Sequence, residues 1–361
     1  MAMRVVVVGA GAFGGWSALH LLRAGAKVTL IDAWGPGNSR SSSGDETRVI
    51  RGCYGPNAIY TAMTARSIPL WQENERKWGV KLLRQNGALW MAADDDSYER
   101  AAVENLRASG MAFEIIKPRQ RWPWINWDGL SWAILEPQGG YLLARRACQA
   151  VLEGFVAEGG TYQQAWVAAD ELEKYKADQY VLACGPWMRE WVTPTRQEVI
   201  YFGTPAGDTR FQEDQFPAWV DNSQPRHYGI PGNEWRGFKV ARDLPGEPFD
   251  PTNGDRRPSA AMLASIREYL ARRFPVLKDA PVLESRVCQY EMTADGGLIV
   301  DRHPSLKDTW VVGGGSGHGF KFAPALGEHV AQLVMGKRAV EPAWALARFK
   351  DVVAGQVGER K

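Results

Sequence analysis

Cysteine is scarce in this chain, with four in 361 residues. They stand far apart, at Cys53, Cys148, Cys184 and Cys288, so no pair has metal-ligand spacing and no disulfide framework is suggested. No metal site is expected. Long apolar runs are also missing; none approaches the roughly 20 residues that cross a bilayer. Nor is there an excess of one charge. The 43 Lys and Arg nearly balance 41 Asp and Glu, for a net charge of +2, which gives no reason to expect nucleic acid or membrane as partner. There is no internal repeat or low-complexity tract. The first strand pattern begins near residue 4, leaving no room for a signal peptide, so a cytoplasmic protein is the expectation. What is left is a globular composition, 45% hydrophobic and 23% charged, on a chain long enough for two domains.

The strongest local signal lies at the start. Valines Val5 to Val8 run into Gly9-Ala10-Gly11-Ala12-Phe13-Gly14. Helical spacing follows at Trp16, Leu19, Leu21 and Leu22, then a second apolar run at residues 28–31 that ends at Asp32. This is the strand, glycine turn, helix, strand and acid of a dinucleotide-binding unit. Gly9 permits the tight turn, Gly11 lets the backbone approach a pyrophosphate, and Gly14 lets helix and strand pack closely. The helix N-terminus faces the phosphates. A carboxylate at Asp32 suits free ribose hydroxyls and repels a 2′-phosphate, which disfavours NADP and leaves both NAD and FAD open.

Further along, residues 60–78, 97–109, 141–158, 258–274 and 326–335 read as helices, with Ser259 capping the fourth. Residues 87–92 read as a strand and 123–135 as aromatic and irregular. The strand pattern from Tyr180 runs into Cys184-Gly185-Pro186-Trp187, a second strand end able to meet a cofactor. Trp310-Val311-Val312-Gly313-Gly314-Gly315 is a third. Between residues 198 and 241, short strands broken by Gly, Pro and Asn suggest a mainly antiparallel sheet. The fold expected is therefore α/β: a Rossmann-like domain assembled from interleaved segments, plus a substrate domain on a mainly antiparallel sheet with helices. Residues 1–84, 142–196 and 286–361 are assigned to the first, and 85–141 with 197–285 to the second. Sixteen tryptophans, several between Trp122 and Trp132, read either as packing or as an aromatic wall near a substrate.

Several motifs together resemble the flavin-dependent amine oxidases of the D-amino-acid-oxidase superfamily, and most closely the monomeric sarcosine oxidase and N-methyltryptophan oxidase branch. The resemblance covers nearly the full length and is weaker between about residues 85 and 140. It is carried by Gly9 to Gly14 with Asp32, by Thr47-Arg48-Val49-Ile50-Arg51, by Val287-Cys288-Gln289-Tyr290, and by Gly315-Ser316-Gly317-His318-Gly319-Phe320-Lys321-Phe322. Tyr228-Gly229-Ile230-Pro231 followed by Gly237-Phe238-Lys239 matches the family's spacing as well.

The resemblance implies FAD. The residues expected against it are Gly9, Gly11, Ala12, Phe13 and Gly14 in the first turn, with Asp32 and Ala33 at the second strand end. Ser42, Ser43, Thr47 and Arg48 supply the next loop, and Cys184, Gly185 and Trp187 the second strand end. Gly315, Gly317, His318, Gly319, Phe320 and Lys321 supply the last. Cys288 reads on its own as a small buried hydrophobe; the resemblance implies a thioether from it to the flavin 8α-methyl.

Arg51 and Lys321 are implied to hold a substrate carboxylate, a task suited to a guanidinium fork and an ammonium. Lys239 is implied to assist reaction of reduced flavin with oxygen, and Arg48 and Tyr228 complete the catalytic set. The activity implied is oxidation of the C–N bond of an N-methyl, cyclic or primary amino acid to an imine, with O2 reduced to H2O2, in a monomer. A dehydrogenase passing electrons to another carrier is the alternative. A NAD-dependent dehydrogenase or a nucleotide-binding module without redox function stands behind it. Two departures are visible. Close relatives carry a histidine ahead of the Thr-Arg segment, where this chain reads Ser41-Ser42-Ser43-Gly44-Asp45-Glu46. They carry another four residues after the lysine, where this chain has Asp243. Sarcosine is therefore not carried over as the substrate.

Overall fold

The valine run forms the strand Arg4–Val8, and burial on both faces explains its continuity. Val5 and Val7 join the main core under the helix Ala12–Arg23, while Val6 and Val8 pack with Ile31, Leu172 and Tyr180 on the other face. The structure, a computed structural model, describes residues 1–349. The end of the first assigned domain, residues 350–361, lies outside the described residues.

Among the described residues the strands form three sheets. The first has six strands in the order Ile299–Arg302, Thr309–Gly313, Gln179–Leu182, Arg4–Val8, Lys27–Asp32 and Thr161–Gln164. All neighbours are parallel except the first pair. This Rossmann-like sheet is interleaved, since its strands come from three separated stretches of chain. Three consecutive members, Thr309–Gly313, Gln179–Leu182 and Arg4–Val8, run parallel side by side, so their carboxyl ends finish together. Each continues into glycine, and the crevice beyond such strand ends is where ligands of doubly wound sheets bind.

The second sheet has eight strands, from Val282–Met292 and Thr193–Phe202 at one side to Ala133–Glu136 and Glu114–Ile116 at the other. It is antiparallel except where Ala218–Asp221 meets Ala88–Met91. The helix Ala260–Arg273 covers it with Ile266, Tyr269 and Leu270. Ser259 caps that helix, accepting from the Met262 amide at 3.1 Å. Trp122 and Trp127 sit in this core with Phe216, so they serve packing.

Two local expectations are corrected. Residues 141–158 are not one helix: Gly140–Leu143 is a strand, and the helix is Ala144–Ala157. That strand pairs with Thr47–Ile50 and Leu83–Arg84 in the small third sheet, and tertiary pairing outweighs an apolar run compatible with either state. The stretch 123–135 is not irregular throughout, because Ala133–Glu136 is a buried strand.

Candidate active site

The three glycine turns wall one side of a cavity of about 570 Å³. Gly9 has φ +106°, and a Cβ there would lie 2.3 Å from the Ala183 carbonyl oxygen. A Cβ at Gly14 would lie 1.8 Å from the Gly9 carbonyl oxygen. Glycine at both positions is therefore what allows the first turn to nest between its helix and the neighbouring strand end. The helix begins at Ala12 with no side-chain cap and no acid in its first turn, which suits an anionic ligand.

Asp32 is fixed by three backbone amides. Oδ2 accepts from Ala10 at 2.7 Å, and Oδ1 accepts from Trp34 at 2.8 Å and Gly35 at 2.7 Å. With it on the wall are Gly9, Gly11, Ala12, Phe13, Ala33, Ser42, Ser43 and Arg48, from the first two groups of expected residues. Cys184, Gly185, Trp187, Gly315, Gly317, Gly319 and Phe320 complete the expected residues found there. Gly14 lies behind the turn. Two tryptophans without a sequence motif also line the cavity, Trp34 and Trp166; Trp34 packs against the expected Trp187 at 5.0 Å and against Trp166 at 5.5 Å between ring centroids.

The fit to FAD can be judged from unmet polar groups. Two buried side-chain oxygens on the wall, Ser42 Oγ and Glu291 Oε2, have no hydrogen-bond partner in the protein. A bare helix N-terminus, a tethered ribose-type acid and orphaned oxygens on one apolar-walled cavity fit a long polar-and-aromatic cofactor.

A second group sits beside this wall. Asp45, which no sequence motif marked, accepts from Lys239 Nζ at 2.5 Å and from Arg48 Nη1 at 2.5 Å. Its other oxygen accepts from the Tyr201 hydroxyl at 3.2 Å. Burial alone would raise the Asp45 carboxyl, but the Lys239 and Arg48 cations outweigh it and hold it well below the usual range. Lys239 also donates to Thr47, at 2.9 Å to the carbonyl and 3.3 Å to the hydroxyl. Its three N–H bonds thus have acceptors within the protein, and it lies 5.8 Å from the Tyr228 ring. Arg48 Nη2 donates to Ser42 O at 2.9 Å and contacts Cys288 Sγ at 3.2 Å. Cys288 is buried on the strand Val282–Met292, whose next three residues reach the cavity wall. The Tyr290 hydroxyl donates to Asp243 at 3.0 Å.

A third group gathers on Tyr54, another residue that sequence motifs did not mark. The Arg51 guanidinium stacks 4.3 Å from the Tyr54 ring and 4.3 Å from the Trp90 ring. Lys321 Nζ bonds the Tyr54 hydroxyl at 2.7 Å and the His318 carbonyl at 2.8 Å. The His318 ring meets the Gly296 carbonyl at 3.0 Å and packs on Tyr60. His227 lies elsewhere, buried and stacked on Tyr269 in the second sheet's core.

Three adjacent strand ends closing on a cofactor-sized cavity, with an acid at the second strand, define a dinucleotide-binding fold. The family model described as FAD dependent oxidoreductase matches residues 4–333, and the chain belongs to that family. It is 27% identical over 359 residues to monomeric sarcosine oxidase of Bacillus sp. (strain NS-129), covering 91% of this chain and 92% of that protein. It is 27% identical over 378 residues to N-methyl-L-tryptophan oxidase of Yersinia pestis (strain Pestoides F), covering 96% and 99%. In fold it is similar to L-proline dehydrogenase from P. horikoshii, with a TM-score of 0.84 at 20% identity over 97% of this chain and 98% of that one. Fructosyl peptide oxidase from E. terrenum gives 0.78 at 22% identity over 95% and 92%. The protein is an FAD-dependent oxidoreductase. Among the described residues no helix is long and apolar enough to cross a membrane, and no cluster of His, Cys, Asp and Glu could hold a metal.

Proposed function

We propose that the protein oxidises the C–N bond of a small amine that carries a carboxylate, an amino acid or its N-alkyl or cyclic relative. The observation that carries this is Arg51. The residue is 7% exposed, its guanidinium donates to the Cys53 carbonyl, and among the described residues no carboxylate lies within ion-pair distance of it. The buried Glu136 carboxyl acts on it only from beyond that distance, a buried cation with no direct anionic partner is costly, and a substrate carboxylate supplies one. Lys321, bonded to the hydroxyl of the same tyrosine, adds a second positive charge. Both relatives named above from sequence are called oxidases of N-methylated amino acids or sarcosine, which agrees with this reading.

FAD, when bound, supplies the two-electron acceptor. The protein's part is position and charge. Arg51 and Lys321 grip the carboxylate, so the amine-bearing carbon is presented in one orientation. The amine loses two electrons and two protons in becoming an imine, and water then hydrolyses the imine. O2 takes up both electrons and both protons as H2O2. The Lys239 cation favours the anions formed as oxygen is reduced. A carrier other than O2 is the second reading, favoured by one observation: the donors of Lys239 are engaged by Asp45 and Thr47.

We further assign Cys288 as the point of flavin attachment, supported by its place beside Arg48 and by its strand neighbours on the cavity wall. The proposed enzyme acts as a cytoplasmic monomer. A peroxide assay across N-methyl, cyclic and primary amino acids tests the activity. Peroxide from none of them, with flavin bound, would falsify the oxidase form of the proposal.

A further inference from the structure

Glu291 stands three residues after Cys288, outside every motif discussed above. It is 6% exposed and lines the cofactor cavity. Its carboxyl is held in a slot between two strand ends. Oε1 accepts from the Gly315 amide at 2.9 Å. A Cβ on Gly315 would come within 2.8 Å of Oε1, and one on Gly185 within 2.9 Å of Oε2. Glycines on both sides therefore leave just enough room for this side chain. Oε2 is buried and has no partner in the protein, and the residue lines the same cavity as the glycine turns.

The protein offers this carboxyl no cation. Among the described residues Glu291 makes no ion pair, and the one group opposing its protonation is the Gly315 amide. Burial pushes it up to about 7. A carboxylate here would have the Gly315 amide as its one partner and no cation to balance its charge. A carboxylic acid instead has an O–H to give and an oxygen left to accept from Gly315.

We propose that Glu291, as an uncharged carboxylic acid, donates a hydrogen bond from Oε2 to bound FAD and so fixes the cofactor against the glycine turns. The inference rests on FAD being the cofactor of this cavity. It makes Glu291 a positioning residue for the cofactor, independent of which amine is oxidised.

The test uses the full-length protein with Cys288→Ser, so that FAD exchanges reversibly whether or not Cys288 attaches it. FAD is titrated into the stripped protein and into its Glu291→Gln and Glu291→Leu forms. Gln keeps an N–H donor and should bind within about threefold of the parent. Leu removes the donor and should bind about tenfold more weakly, the scale of one buried hydrogen bond. In parallel, infrared difference spectra with isotopically labelled glutamate should show a protonated carboxyl C=O band that shifts on FAD binding and is missing from Glu291→Gln. Leu binding as tightly as the parent overturns the proposal, as does a spectrum in which FAD moves no such band. Should Glu291→Leu fail to fold, the infrared comparison alone decides. A parent that binds no FAD overturns the flavin assignment itself, and this proposal with it.

Discussion

The Asp45 carboxylate lies 2.5 Å from the Lys239 ammonium, with both side chains closed off from solvent. The same oxygen also receives Arg48. One anion therefore serves a buried and a half-buried cation, and the two possible deletions are unequal. Asp45→Asn leaves both cations unneutralised and should cost about 3–5 kcal/mol of stability. Lys239→Met leaves Asp45 with Arg48 and should cost less, about 1–3 kcal/mol. Urea unfolding of both variants checks this, and equal losses would contradict the shared-anion arrangement.

Lys239 has a second consequence, in kinetics. If its charge assists oxygen, Lys239→Met should slow reoxidation of reduced flavin by at least about tenfold. Anaerobic reduction by substrate should be nearly unchanged. Stopped-flow separates the two half-reactions. Unaltered reoxidation removes the oxygen role and favours a different electron carrier.

Arg51 and Lys321 bear on substrate affinity. Arg51→Met and Lys321→Met should each raise KM by roughly 10–100-fold, the range of a charge-assisted hydrogen bond. A competitive inhibitor that retains the carboxylate but lacks the amine should lose affinity in parallel. An inhibitor affinity that ignores both substitutions would place the carboxylate elsewhere.

The contrast between these groups shows what the sequence carried. Gly9 to Asp32 was legible because strand, turn, helix and acid are consecutive, and each residue's task is local. The interleaved sheet was legible because three separate strands each end in glycine. Asp45, Tyr54 and Glu291 were not, since their roles arise only when separate chain segments meet: Asp45 with Lys239, 194 residues on, Tyr54 with Lys321, 267 residues on, and Glu291 with the turns at Gly185 and Gly315. The strand Gly140–Leu143 was hidden for a similar reason. Its apolar residues continue into a real helix, and only pairing with Thr47–Ile50 separates the two.

Glu291 gives the stripped protein a pH dependence of known sign. Its carboxyl titrates near 4.5 in the unfolded chain and about 7 in the folded one. The folded value is raised, so the unfolded chain releases this proton first as pH rises. The stability tied to Glu291 is complete below 4.5, falls across the interval and levels off above 7, by roughly 3 kcal/mol in all. Glu291→Gln should remove that slope. Denaturant midpoints measured below and above the interval in both proteins check it, and parallel pH curves would count against a buried neutral acid.

Covalent attachment has a simple readout. Acid precipitation of the holoprotein should leave the yellow colour in the pellet, and Cys288→Ser should release it to the supernatant. Colour in the supernatant from fully loaded, unsubstituted protein rules out the thioether.

The most direct measurement is anaerobic mixing of the flavin-loaded protein with paired amines that differ only in the carboxylate, followed by flavin absorbance. Oxidation of a carboxylate-bearing amine held by Arg51 and Lys321 predicts rapid bleaching with the amino acids and little with their decarboxylated counterparts. Equal bleaching by both members of each pair, or none by either, would contradict it.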